Sequence, residues 1–92
     1  MKKKNQFLKF KIFFTKRCQE RMKYYKISES RVKRIVNSPE RKEKGIIKGT
    51  IAMVQTVGKK EKTEIWVLCQ KRKNKIKVIS VWRYPKIKTE II

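Results

Sequence analysis

The chain has no histidine and no aspartate; its only acids are seven glutamates. Without histidine the commonest general acid and base is missing, so any catalysis must use Lys, Arg, Tyr or Glu. Cysteine is nearly absent too. Cys18 and Cys69 stand far apart with no CxxC pair, which leaves no ligand set for structural zinc and no disulfide framework. Cys69 follows an apolar run and Cys18 shares a helical face with Met22 and Tyr25, predicting buried free thiols in a reducing compartment. No apolar run is long enough to span a bilayer, for which about 20 residues are needed. Met1 to Lys4 followed by an apolar stretch has the look of a secretory leader. Lys9 and Lys11 interrupt it, however, and no small-residue cleavage site follows. These absences predict a cytoplasmic protein that needs no membrane, metal or other cofactor.

What is abundant is positive charge. Twenty-eight Lys and Arg against seven acids give +21 on 92 residues, a length that makes one domain with a modest core. Lysine outnumbers arginine 21 to 7 and isoleucine is common, a bias an AT-rich coding sequence also produces. Self-repulsion on this scale disfavours the compact state, which favours a use for it. The expected partners are polyanions: RNA, the ribosome or an acidic protein. The chain divides into a basic arm over residues 1–6, one domain over 7–85 and a tail over 86–92.

Leu8, Phe10, Ile12 and Phe14 alternate with Lys9, Lys11 and Phe13, the period of a half-buried strand. Thr15 suits a helix N-cap, and Cys18, Met22 and Tyr25 give one apolar face to a helix over about residues 16–26. Ser28 caps a second helix, with Glu29 in its first turn, Ile27 and Val32 as a hydrophobic staple, and Val32, Ile35 and Val36 as the buried stripe. Asn37-Ser38-Pro39 ends it. A charged link from Glu40 to Lys44 leads into three apolar, β-branched stretches, Ile46–Val57, Thr63–Gln70 and Lys75–Tyr84. Hairpin-length connections join them into a meander. The pattern is α+β, in the order β-α-α-β-β-β, an antiparallel sheet with two helices on one face.

The segment from Ile79 to Pro85 carries the strongest functional signal. An apolar strand ends there in Trp82, Arg83 and Tyr84 before a proline that cannot donate to a ladder. Arginine forks phosphate oxygens and aromatic rings stack on bases. Strict alternation puts Trp82 and Tyr84 on one face with Ile76 and Val78, and Arg83 on the other with Lys77, Ile79 and Val81. Arg83 and Tyr84 then share a site only if the strand kinks or bulges. Lys71, Arg72, Lys73, Lys75 and Lys77 place five cations in seven residues, a solvated turn or a phosphate track. Arg17, Arg21 and Tyr24 form a stripe on the first helix beside Lys16, and are equally readable as a plain wet face. Glu64 is a possible base, but pairing with neighbouring lysines is its commoner use.

The run from Phe14 to Met22, then Ile27-Ser28 and Ser38-Pro39-Glu40, resembles a family of small bacterial and archaeal proteins related to the BrnT toxins, within the wider RelE/ParE group. Its hallmark is a Thr-x-His-Ala-x-x-Arg-Met pattern, and the resemblance spans about Phe7 to Pro85. Arg21 and Met22 match the hallmark directly. Arg17 stands in place of its His, Tyr25 in place of an Arg, and Lys26 in place of a helix-ending Gly. Arg17 cannot serve as a base, because guanidinium does not deprotonate. The resemblance implies a RelE/BrnT-like fold, metal-independent endoribonuclease activity on RNA, a possible dependence on the ribosome, and an acidic antitoxin. The matching roles are Arg83 with Arg21 or Arg17 stabilising phosphorane charge, and Tyr84 or a desolvated Lys77 carrying the proton. Lys71, Arg72, Lys73, Lys75, Lys16 and Tyr24 would hold the RNA. A non-catalytic RNA- or ribosome-binding module on the same fold is the alternative.

Overall fold

The computed structural model describes residues 11–58 and 62–84. The arm, the tail, the start of the first expected strand and Pro85 lie outside the described residues. The elements are β1 (Lys11–Phe14), α1 (Lys16–Tyr25), α2 (Glu29–Asn37), β2 (Arg41–Lys44), β3 (Ile51–Val57), β4 (Thr63–Arg72) and β5 (Lys75–Tyr84). The fold is α+β, with one sheet in the order β1-β5-β4-β3-β2.

Four expectations change. The sheet is mixed rather than antiparallel, because β1 pairs parallel to β5 while the other neighbours run antiparallel. The two helices carry the chain across to the far edge, so β1 meets the last strand instead of a hairpin neighbour. Arg41–Lys44, expected as a link, is the edge strand β2. Its side chains are all exposed, and its register follows from main-chain pairing with β3. Four charged residues also blunt that edge against further pairing. The strand expected from Ile46 begins only at Ile51. The intervening chain turns, with the Thr50 amide donating to the Ile47 carbonyl (3.1 Å) and Gly49 at φ +85°. Likewise Lys71 and Arg72 belong to β4, and the turn before β5 is only Lys73-Asn74.

The helices begin and end where their caps dictate. Thr15 is extended, and its hydroxyl oxygen accepts the Cys18 amide (3.0 Å). The same hydroxyl donates to the Ile79 carbonyl of β5 (2.9 Å), fastening the start of α1 to the sheet. At the other end Lys26 adopts φ +57°, and the Ile27 amide returns to the Met22 carbonyl (2.8 Å). Ser28 accepts the Arg31 amide (3.1 Å) to cap α2. Cys18, Met22 and Tyr25 from α1, with Val32, Ile35 and Val36 from α2, close over Met53, Ile65, Val67, Cys69, Ile76, Val78 and Val81. One face of the sheet is thereby covered, and each such side chain contributes about 1.5–3 kcal/mol by leaving water. Cys18 and Cys69 are free and buried, and burial pushes both thiols up to about 11.

Thr15 thus holds two hydrogen bonds through one oxygen. Thr15→Ala is expected to cost about 1–2 kcal/mol, the range for a lost N-cap with a second bond removed. Thr15→Ser keeps the hydroxyl and should restore most of it, as read by chemical denaturation of both variants.

Candidate functional site

The site is made by a bulge. On β5, Val78 pairs with Cys69 and Ser80 with Leu68, so Ile79 is an extra residue in the ladder. Alternation resets after it. Val81 joins Ile76 and Val78 beneath the helices and is fully buried, and Arg83 follows it to that side. Ser80, Trp82 and Tyr84 point to the open face. β1 covers the outer edge of β5 only from Lys75 to Val78. Among the described residues, no strand pairs with that edge over Ile79–Tyr84.

Where the edge is left open, a groove of about 660 Å³ wraps around it. Arg17 and Arg21 line it from α1, and Ile79, Trp82, Arg83 and Tyr84 from β5. Ile46 and Ile47 complete it from the β2–β3 turn, where they are 87% and 50% exposed. Most of its wall is apolar, and the guanidinium groups supply its charge.

Arg83 has a use of its own. Its Nε donates to the Tyr25 carbonyl (2.9 Å) and an Nη to the Lys26 carbonyl (3.4 Å). Those carbonyls terminate α1 and carry the negative end of its dipole. Arg83 therefore ties the end of α1 to the end of β5, as Thr15 ties the start of α1 to the middle of β5.

The opposite side of the sheet holds Glu43 and Glu64. Arg41 reaches across the open face to Glu43 (2.7 Å) and Glu64 (3.0 Å), with its guanidinium 5.5 Å from the Trp66 ring centroid. Trp66 donates through Nε1 to Glu64 (2.9 Å) and stacks on Trp82 at 5.8 Å. Glu64 is thus engaged by Arg41 and Trp66, not by lysines, and Trp82 reaches the groove backed by this network. The hydrogen bonds from Arg41 and then Trp66 hold the Glu64 carboxyl below its ordinary range. A lowered folded-state value means this stabilisation is present above the unfolded carboxyl value. It is lost as pH falls through the folded one. Acid titration from pH 6 to pH 2, about 4.3 being the ordinary glutamate value, should therefore destabilise the wild type more than Glu64→Gln, the curves converging at the acid end.

Of the residues singled out in the sequence, Arg17, Arg21, Arg83 and Tyr84 come together in the groove. Lys77 does not. It is exposed and lies beside Phe13, Gln70, Arg72 and Lys75 in a separate shallow groove, so it is not desolvated and cannot carry a proton at the first one. Lys71, Arg72, Lys73 and Lys75 gather around the turn at the far end of β5. Lys16 is exposed at the start of α1, and Tyr24 is 66% exposed with its ring edge-on to Tyr25. In the sequence Ile46 and Ile47 look only like strand residues. The bracketing Gly45 and Gly49 were the available sign of a turn. No family model matches the chain, and no curated protein or solved structure matches it.

Proposed function

We propose that the protein binds single-stranded RNA along the groove at the open edge of β5. The single observation carrying this reading is the convergence of Arg17, Arg21, Trp82 and Tyr84 on one groove, in a chain of charge +21. Guanidinium groups on one wall meet phosphate oxygens, and an apolar wall with two aromatic rings receives bases. Arg83 acts as a positioning residue that keeps α1, and with it Arg21, against the strand.

A second reading is a RelE/BrnT-like toxin that cleaves RNA without metal, favoured by Tyr84 lying in the same groove as two arginines. The 2′-OH would attack phosphorus, giving a 2′,3′-cyclic phosphate as the P–O5′ bond breaks and the 5′-oxygen takes a proton. Arg17 and Arg21 would stabilise the phosphorane, and Tyr84, the exposed one of the groove's two tyrosines, would relay the proton. An acidic antitoxin would then be the natural protein partner of the arginine wall, and the ribosome a possible platform.

Both readings are tested by labelled, unstructured RNA in EDTA at several salt concentrations. Binding should weaken steeply with salt. Arg17→Ala with Arg21→Ala should flatten the slope of log affinity against log salt by about 1.4, at roughly 0.7 per phosphate contact on a single strand. An unchanged slope removes the groove from RNA binding. Cleavage abolished by Tyr84→Phe with binding intact selects the nuclease. Binding without products, with or without translating ribosomes, selects the binding module.

A further inference from the structure

The open face of the sheet carries a second feature, at the other end of β5. Ile12 and Phe14 of β1 pack onto the core, which turns Phe13 outward, 48% exposed. Register sets Phe13 beside Lys77 and Lys77 beside Gln70. The next row is Lys11, Lys75 and Arg72. No acid occupies any of these six positions. A groove of about 380 Å³ runs among Phe13, Gln70, Arg72, Lys75 and Lys77. At 48% exposure, about half of the Phe13 side chain remains in water. Ringed by cations and with an amide beside it, it has the make-up of a base-stacking platform with phosphate contacts on either side.

From this patch the same face continues along β5 to Ser80, Trp82 and Tyr84. Lys77 and Trp82 are five residues apart, about 15 Å at the rise of a strand. We infer that Phe13, flanked by Lys75, Lys77 and Arg72, is a second stacking site for the same single-stranded RNA. One strand then lies across the open face with a base on Phe13 at one end and a base in the arginine groove at the other. The inference rests on RNA as the ligand of that groove. Charge complementarity and the exposed Phe13 ring choose the occupant: a duplex offers phosphates but keeps its bases stacked away from Phe13.

The test is fluorescence anisotropy with an oligouridine of about twelve nucleotides, within the ~4–16 that single-strand binders cover, and with a duplex of equal length. Phe13→Ala and Phe13→Leu should each weaken the single strand about tenfold, within the range seen on removing stacking aromatics. Phe13→Tyr should bind as the wild type does, and duplex binding should be unchanged in all three. Melting curves establish that each variant is folded, which a half-exposed side chain permits. Full affinity in Phe13→Leu overturns stacking, and equal losses on the duplex overturn it in favour of general electrostatics. Arg17→Ala with Arg21→Ala, run alongside, separates the two sites. If it loses binding while Phe13→Ala does not, the second site falls and the groove stands. If only Phe13→Ala loses binding, the groove reading falls.

Discussion

Arg83→Ala is expected to lower the melting temperature by about 8–16 °C, the equivalent of about 2 kcal/mol in a domain of this size. The guanidinium donates to the Tyr25 and Lys26 carbonyls, both at the end of α1. Truncation leaves those acceptors without their charged donor and takes a cation from the negative end of the helix dipole. Lys26, a non-glycine residue at φ +57°, already makes that end of the helix strained. Arg83→Lys should recover part of the loss, since an ammonium supplies charge but not the two-pronged geometry. RNA affinity, measured well below both melting temperatures, should change little in Arg83→Lys. An unchanged melting temperature together with lost RNA binding in Arg83→Ala would reverse the assignment and put the guanidinium on the phosphate.

That role was illegible in the sequence for a definable reason. Arg83 meets the end of α1 only because Ile79 bulges and shifts every later residue of β5 by one face. Counting by twos from Ile76 gives the opposite side for Val81 and Arg83. A hint was present: Ile79 and Val81 are apolar where Lys75 and Lys77 had marked that parity as polar. The bulge at Ile79 does not bring Arg83 and Tyr84 to one face: alternation resumes after it, and the two share the groove only because it wraps around the edge of β5.

The helices were legible because their signals are local. Thr15, Ser28 and the Ile27–Val32 staple act within a single turn, and the buried stripes repeat at helical spacing. β2 was invisible for the converse reason. Arg-Lys-Glu-Lys has no apolar side to alternate, and the strand exists through ladder bonds offered by β3. The arginine stripe on α1 was readable as residues but not as a site. Its meaning depends on which edge of the sheet α1 passes, and that follows from the parallel pairing of β1 with β5. Lys77 fails for a similar reason: sequence proximity to Arg83 does not survive the length of a strand.

Gly45→Ala is expected to be at least as disruptive as loss of Arg83, and to act on the groove as well as on stability. A Cβ at Gly45 would sit 2.8 Å from the Thr50 Cβ and 2.9 Å from the Leu68 Cδ1, with the Thr50 hydroxyl oxygen closer still. Thr50 and Leu68 are 6% and 3% exposed, so neither has free space to swing into. Thr50 is further held by donating its hydroxyl to the Ile47 carbonyl. The clash must be relieved by moving the turn that carries Ile46 and Ile47, at a cost of about 3 kcal/mol, the upper part of the range for overpacking. Because those two isoleucines form one wall of the groove, RNA affinity should fall together with stability, and more than in Thr15→Ala at a temperature where both variants are folded. A double-mutant cycle with Thr50→Ala checks the mechanism. Removing the hydroxyl and methyl of Thr50 should make Gly45→Ala cheaper by about 1 kcal/mol or more, as coupling between contacting residues requires. Additive costs would show that the close approach at Gly45 does not set the position of the turn.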